Sequence, residues 1–158
     1  METANFKTPL GIATILGDEN GIASISIADQ GELSTEIPFV LQDAITQINE
    51  YFVKSRRNFT FKLNPIGTDF QQKVWKGLLE IPYGKTMSYQ ELSKKLGDIK
   101  AIRAVASANG KNPLWIVIPC HRVIGTDGSL TGYAGGLWRK KALLELESPS
   151  IQNSLDFN

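Results

Sequence analysis

Cysteine and histidine are scarce in this sequence: its 158 residues contain one of each, Cys120 and His121. One cysteine excludes an intramolecular disulfide, and the pair cannot supply the three or four ligands of a typical zinc site. Residues 1–66 contain neither type, so no metal site is expected there. Any thiol chemistry must therefore use a single side chain.

Long apolar runs are also absent. The longest, residues 114–119, is far too short to span a bilayer. Residues 1–11 lack the basic segment and apolar core of a secretory signal. The sequence therefore predicts no membrane partner and an intracellular setting, which is the cytoplasm, or the nucleus if the source is eukaryotic.

Charge is close to balanced in total and unevenly distributed along the chain. The net charge is +1, yet residues 1–64 carry five basic and eight acidic side chains, while residues 70–141 carry twelve basic and four acidic ones. This segregation predicts that the second part presents a basic surface to a polyanion such as nucleic acid.

The first 65 residues have the pattern of a small α+β domain. Apolar and small or polar residues alternate over 10–30 around a turn at Asp18 to Gly21, which predicts a β-hairpin. Helical spacing over 38–54 predicts a helix that covers the sheet, and 59–63 alternates again as a possible further strand. No residue pattern in this domain indicates chemistry.

Helix signals dominate after Gly67. Thr68 and Ser88 are each followed three residues later by Gln or Glu, the spacing of a capping box, and a further helix is predicted over 100–109. Two short helices separated by a glycine turn at Gly97 are typical of a helix-turn-helix, although any packed helix pair has this pattern. Lys100 and Arg103 on an alanine-rich helix favour contact with DNA phosphates.

The apolar run 114–118 is predicted to be a buried strand or extended stretch that ends at Pro119. Cys120, His121 and Arg122 follow it directly. A lone cysteine is often an inert, buried residue. A cysteine beside a histidine in basic surroundings is instead expected to have its pKa lowered from about 8.5 toward neutral pH, which makes it a nucleophile.

The string Ile118-Pro119-Cys120-His121-Arg122-Val123 resembles the active-site signature of the O6-alkylguanine-DNA alkyltransferase family. Further blocks resemble the family in the same order and spacing, at residues 70–75, 81–84, 88–89, 103–105, 112–113 and 132–137. The resemblance implies an α+β protein: a ribonuclease-H-like sheet-and-helix domain at 1–65, a mainly helical, winged-helix-like DNA-binding domain at 66–148, and a tail at 149–158.

The resemblance also implies an activity. Family members flip an O6-methylated guanine out of duplex DNA and move the alkyl group irreversibly onto the cysteine that matches Cys120, once per protein molecule. The expected partner is double-stranded DNA that contains alkylated guanine, with O4-methylthymine as a second substrate. No cofactor is needed, and a monomer is expected.

Catalytic roles follow from the same resemblance. His121 would accept the thiol proton through a water, and Glu147 would orient that histidine; alignment favours Glu147 over Glu145. Tyr89 would serve as acid or hydrogen-bond donor to the departing guanine. Asn112 would tie the DNA helix to the cysteine turn. Taken singly, these last two could equally be a core tyrosine and a turn asparagine.

The resemblance assigns further residues to the base and the DNA. The backbone N–H of Ala134 would bond O6, Tyr133 would pack on the flipped ring, and the carbonyls of Cys120 and Val123 would receive the exocyclic amine. Arg103 would enter the base stack from a helix in the minor groove. The predicted DNA and substrate set is completed by Arg122, Ala104 and Lys100.

Three positions depart from some family members, namely Asn109, Ala134 and Trp115, and they bear on the size of the alkyl group that fits. Two alternatives of other classes remain. One is a damage-sensing protein that flips the base without repairing it, although such alkyltransferase-like proteins lack the acceptor cysteine. The other is a thiol hydrolase with turnover, which leaves the basic helix pair unexplained.

Overall fold

The computed structural model describes residues 1–148, and the predicted tail at 149–158 lies outside them. Two compact units are present. The first contains Met1–Gly67 and Pro113–Val117, and the second contains Thr68–Asn112 and the described residues 118–148. The chain therefore leaves the second unit for five residues just before the cysteine, which the sequence pattern did not predict.

A three-stranded antiparallel sheet forms the centre of the first unit. Its strands are β1 (Glu2–Thr8), β2 (Gly11–Asp18) and β3 (Gly21–Ala28), in the order β1-β2-β3. The predicted hairpin is confirmed as β2 and β3, whose turn ends at Gly21 with a φ of 127° that favours glycine. Strand β1 was not predicted, although Ala4, Phe6 and Thr8 alternate toward the interior.

Helix α1 (Phe39–Phe52) packs on β1 and β2 and confirms the predicted helix. The predicted strand at 59–63 is wrong, since in the described part of the chain Leu63 is the one residue of this segment that forms a bridge, to Ile22. Gln47 accounts for the difference because its side chain accepts a hydrogen bond from Thr60 N at 2.9 Å and donates one to Thr60 Oγ1 at 2.8 Å. A side chain thus replaces the ladder partner that a strand would need.

Residues 114–118 are buried, as predicted, and of the two predicted conformations they do not form a strand. The backbone of Ile25 forms hydrogen bonds with the residues on either side of Leu114. Its N–H donates to Pro113 O at 2.8 Å, and its carbonyl accepts from Trp115 N at 3.0 Å. The chain then turns at Ile116, whose φ of 70° is unusual for a β-branched residue. Within this unit Trp115 packs against Phe52, with ring centroids 6.2 Å apart.

The second unit is mainly helical. Its elements are α2 (Asp69–Leu79), β4 (Met87–Ser88), α3 (Tyr89–Lys95), a 3-10 turn (Ile99–Ala101), α4 (Ile102–Gly110), a 3-10 turn (Cys120–Arg122), β5 (Val123–Ile124) and α5 (Leu137–Glu147). Strands β4 and β5 pair in parallel. Within residues 1–148, no helix is long and apolar enough to cross a membrane.

Both predicted capping boxes are present and explain where α2 and α3 begin. Thr68 and Gln71 satisfy each other's backbone N–H groups, and Ser88 and Glu91 do the same. Gly97, with a φ of 93°, reverses the chain after α3. Helices α2, α3 and α4 then pack together around a common core, whose fully buried side chains include Val74, Leu78, Leu92 and Val105.

Candidate active site

Cys120 begins the 3-10 turn that follows Pro119, and its side chain is buried. Asn112, just beyond α4, is bonded to this turn at two points. Its Nδ2 donates to the carbonyl of Ile118 at 2.7 Å and to Cys120 Sγ at 3.2 Å. The structure therefore brings together the two residues that the sequence placed at this turn, and it holds the sulfur against a hydrogen-bond donor.

Burial raises the pKa of the Cys120 thiol above its ordinary value, and the Asn112 bond and the positive charge of Lys140 offset this only in part. The sequence-based expectation of a lowered thiol pKa is therefore wrong. It counted the basic neighbours along the chain and could not count the desolvation. A buried thiol that keeps its proton needs a base before it can act as a nucleophile.

His121 and Glu147 form a buried pair, with His121 Nε2 2.7 Å from Glu147 Oε2. Burial lowers the pKa of His121, with Glu147 acting in the opposite direction, so the imidazole is neutral near pH 7. The Nε2 then carries the hydrogen that Glu147 accepts, and Nδ1 carries a lone pair. This Nδ1 is buried and has no hydrogen-bond partner in the described part of the chain. A base is thus available one residue from the thiol.

Arg122 completes the charge balance at Glu147. Its Nε and Nη2 donate to the two carboxylate oxygens of Glu147 at 2.8 and 3.0 Å, and its Nη1 donates to the carbonyl of Ile81 at 2.8 Å. Burial alone would raise the pKa of Glu147, but the bonds from His121 and Arg122 lower it to about 2. Glu147 is therefore a permanent anion near neutral pH.

This arrangement corrects one expectation from the sequence. Arg122 is buried on Glu147, which does not fit the contact with DNA or substrate predicted for it. Glu147 contacts His121, the residue it is predicted to orient, and only 4% of its surface is accessible. The competing Glu145 is exposed, and its Oε1 lies 3.9 Å from Lys141 Nζ.

Tyr89 is the first residue of α3 and is half-buried. Asn109, near the end of α4, donates from Nδ2 to the Tyr89 hydroxyl at 3.3 Å. Sequence comparison noted Asn109 only as a departure from some family members. Its contact with Tyr89 had no sequence signal beyond its place on the inner face of a predicted helix.

The loop before α5 carries Tyr133 and Ala134, which are half-buried and exposed respectively. Two cations of α5 hold this loop by its carbonyls: Lys140 Nζ donates to Thr131 O at 2.8 Å, and Arg139 Nη1 donates to Gly135 O at 3.0 Å. Sequence reasoning missed both. Lys140 lies three residues before Leu143, a spacing that could have placed it on the inner helical face.

The residues predicted to face DNA are exposed. Lys100 lies in the 3-10 turn before α4, and Arg103 and Ala104 lie in the first turn of α4, all at the surface. Val123, whose carbonyl is predicted to contact the base, is a buried residue of β5. Nine of the twelve basic side chains within 70–141 are exposed; the three buried ones are Arg122, Arg139 and Lys140. The basic surface is therefore smaller than the charge count along the chain indicated.

Among residues 1–148 there is no group of three or more His, Cys, Asp or Glu side chains placed to hold a metal ion. The chemistry available at the site is thus that of a buried thiol, a neutral imidazole with one free nitrogen, and a carboxylate held by an arginine. Together these can deprotonate the thiol and balance the positive charge that results on the imidazole.

Comparison with known proteins agrees with this arrangement. Residues 2–65 match the ribonuclease-like domain of 6-O-methylguanine DNA methyltransferases, and residues 69–149 match the DNA-binding domain of the same proteins. A methylated-DNA–protein-cysteine methyltransferase of Methanosarcina acetivorans is 44% identical over 154 residues, covering 93% of this chain and 98% of the relative. One from Mycobacterium tuberculosis is 47% identical over 145 residues, covering 89% and 88%.

Solved structures give the same result. A crystal structure of Mycobacterium tuberculosis OGT in complex with DNA is 44% identical, with a TM-score of 0.84 over 94% of this chain and 96% of that one. The fold and the site define a two-domain transferase whose acceptor is its own cysteine. The chain belongs to the 6-O-methylguanine DNA methyltransferase family. The resemblance inferred from the signature at Cys120 and the predicted fold class are both confirmed.

Proposed function

We propose that this protein repairs DNA by transferring the methyl group of O6-methylguanine irreversibly to Cys120 Sγ. The observation that carries the proposal is the buried thiol next to the His121–Glu147 pair, whose imidazole Nδ1 has no hydrogen-bond partner within residues 1–148. Membership of the family supports the choice of substrate, and the relative crystallised with DNA supports duplex DNA as the partner.

The first step removes the thiol proton. His121 Nδ1 accepts it through a bridging water, and the resulting imidazolium is stabilised by the Glu147 carboxylate on Nε2. Asn112 Nδ2, 3.2 Å from the sulfur, donates a hydrogen bond to the thiolate as the charge develops. Arg122 keeps Glu147 ionised and fixed in place, which is a positioning role.

The second step is an in-line displacement at the methyl carbon. The thiolate forms the new C–S bond while the C–O6 bond breaks, and the electron pair of that bond leaves with the guanine. Tyr89 supplies a hydrogen bond to the departing guanine anion, which takes up one proton from water to become guanine, while His121 returns the thiol proton to water. The products are a thioether on Cys120 and restored guanine. The displacement needs no external oxidant or reductant, so no cofactor is proposed.

The substrate carbon is inaccessible inside a stacked duplex, so the base must be extruded first. The exposed start of α4 supports this role. Ala104 lets the helix approach the minor groove closely, Arg103 occupies the vacated space in the stack, and Lys100 pairs with a phosphate. Affinity for DNA is then expected to fall as salt is raised.

The flipped base is proposed to lie against the loop that α5 holds. Tyr133 stacks on the ring, the N–H of Ala134 donates to O6, and the carbonyls of Cys120 and Val123 accept from the exocyclic amine. O4-methylthymine is a plausible second substrate because it also carries methyl on an exocyclic oxygen. Every proposed group comes from one chain, so a monomer is sufficient.

Mass spectrometry tests the proposal directly. A duplex containing O6-methylguanine should add one methyl group to the peptide that contains Cys120, with no more than one per protein molecule, and the Cys120→Ser variant should gain none. Restoration of more than one guanine per protein molecule, with release of methanol, would instead indicate a hydrolase. Tight binding to the damaged duplex without any gain in mass would indicate a damage sensor.

A further inference from the structure

Asn109 and Tyr89 form a hydrogen bond that the mechanism above does not use. Asn109 Nδ2 donates to Tyr89 Oη at 3.3 Å and so joins α4 to α3. Asn109 is 3% exposed, and within residues 1–148 its Oδ1 has no hydrogen-bond partner. Buried polar atoms are normally paired. Keeping an amide at this position with its oxygen unpaired costs free energy. This cost suggests that the bond from its nitrogen to Tyr89 has a function.

The direction of the bond determines what the Tyr89 hydroxyl can do. A phenolic hydroxyl has one hydrogen to donate and two lone pairs that accept. The amide nitrogen of Asn109 occupies one lone pair, so the hydroxyl hydrogen stays available to another acceptor. An amide oxygen at the same place would take that hydrogen for itself.

We propose that Asn109 is a positioning residue that holds the Tyr89 hydroxyl as a donor toward the departing guanine. The inference rests on the proposed function, because Tyr89 acts as a donor only if guanine leaves. It also gives α4 two roles. The exposed start of the helix carries Arg103, which is proposed to contact DNA, and its buried end carries Asn109, which orients the donor.

The backbone of Tyr89 is held independently of Asn109. Ser93 Oγ donates to the carbonyl of Tyr89 at 2.8 Å, and the capping box at Ser88 fixes the first turn of α3. A substitution at Asn109 should therefore leave the start of α3 in place and remove the restraint on the hydroxyl. This separation allows the positioning role to be measured.

A double-mutant cycle is the main test. Single-turnover rates of methyl transfer from an O6-methylguanine duplex to Cys120 are measured for the wild type, Asn109→Ala, Tyr89→Phe and the double variant. Asn109→Ala should slow the wild type about tenfold, as loss of one hydrogen bond to the donor would. It should slow the Tyr89→Phe protein less than about twofold, since the hydroxyl is already gone. Equal losses in both backgrounds would overturn the proposal.

The conservative variant Asn109→Asp adds a pH readout. Its ionised carboxylate has the same shape but only accepts, so it should bind the phenolic hydrogen and react more slowly than Asn109→Ala. At lower pH the carboxyl gains a proton and can donate to Tyr89 Oη, so its rate relative to wild type should rise. A ratio that does not change with pH would contradict the assigned role, because a purely structural defect has no reason to titrate there.

Val105→Ala is the matched control, because Val105 is buried on the same helix and makes no bond to Tyr89. It should give the same fold loss in both backgrounds. The outcomes separate the two proposals. If the wild type gains no methyl on Cys120, the proposed function fails. If the wild type is methylated but Tyr89→Phe has no effect, or the cycle is additive, only the role of Asn109 fails.

Discussion

Lys140 has no accessible surface, and its ammonium donates a hydrogen bond to the carbonyl of Thr131 at 2.8 Å. Burial lowers the pKa of this ammonium, while Cys120 acts in the opposite direction. The charge of Lys140 in turn lowers the pKa of Cys120. One buried cation therefore holds the loop before α5 and favours the thiolate.

Lys140→Met should raise the pKa of Cys120 further, since it removes a positive charge and keeps the burial. The rate of thiol alkylation by iodoacetamide, followed against pH, should shift to higher pH than in the wild type. Lys141→Met is the control, because Lys141 is exposed on the same helix and should leave the profile unchanged. Identical profiles for all three proteins would show that Lys140 does not act on the thiol.

Glu147→Ala should destabilise the protein strongly, because it leaves the buried guanidinium of Arg122 without its anion. Breaking a buried ion pair from one side costs about 3–5 kcal/mol. Urea denaturation measures the change in the free energy of unfolding. Glu145→Ala, at an exposed position two residues away, should change it by less than about 0.5 kcal/mol. Similar losses for the two variants would contradict the assignment of Glu147 as the buried partner.

Stability should fall in acid in two ranges. His121 has its pKa lowered from an ordinary value of 6.5, so the unfolded chain binds the extra proton first, and stability declines as pH falls below that value. Glu147, lowered from 4.5 to about 2, adds stability above its unfolded pKa that is lost as pH falls from 4.5 toward 2. Urea midpoints measured across this range should show both declines.

The variant Glu147→Gln separates the two contributions. It should lose the lower decline, because a glutamine has no proton to gain between pH 4.5 and 2. A midpoint that falls as steeply in the variant as in the wild type would assign that acid transition to other carboxyl groups.

Arg103→Ala should slow repair of duplex DNA far more than reaction with free O6-methylguanine, because its proposed role is to hold the base stack open. The comparison needs single-turnover rates on both substrates. Equal losses for Arg103→Ala on duplex and free base would exclude the proposed role in the stack.

Lys111→Ala removes an exposed charge just beyond α4 and should weaken DNA binding. The slope of log affinity against log salt concentration should become smaller by about one released counterion.

Local patterns in the sequence predicted much of the fold. The capping boxes at Thr68 and Ser88 could be read because each pair of partners lies three residues apart. The hairpin around Gly21 and the helix at 39–52 have equally local signals. The strand predicted at 59–63 failed because its backbone is satisfied by Gln47, a partner that no local pattern reveals.

The sequence likewise predicted only part of the candidate site. The signature around Cys120 identified the thiol, the histidine and the family. It gave the wrong direction for the thiol pKa and the wrong surroundings for Arg122, because both depend on burial. Arg122 is held by hydrogen bonds to Glu147 and to the carbonyl of Ile81. These two partners lie 25 and 41 residues away along the chain.

The sequence by itself thus determined the helices, the family and the single thiol, since each is specified by neighbouring residues. Only the tertiary structure decided which charges are buried and paired. It placed Glu147 on His121 and Arg122, Lys140 under the loop, and Asn109 on Tyr89. Desolvation and pairing depend on the whole packed unit, so a charge count along the chain could not predict them.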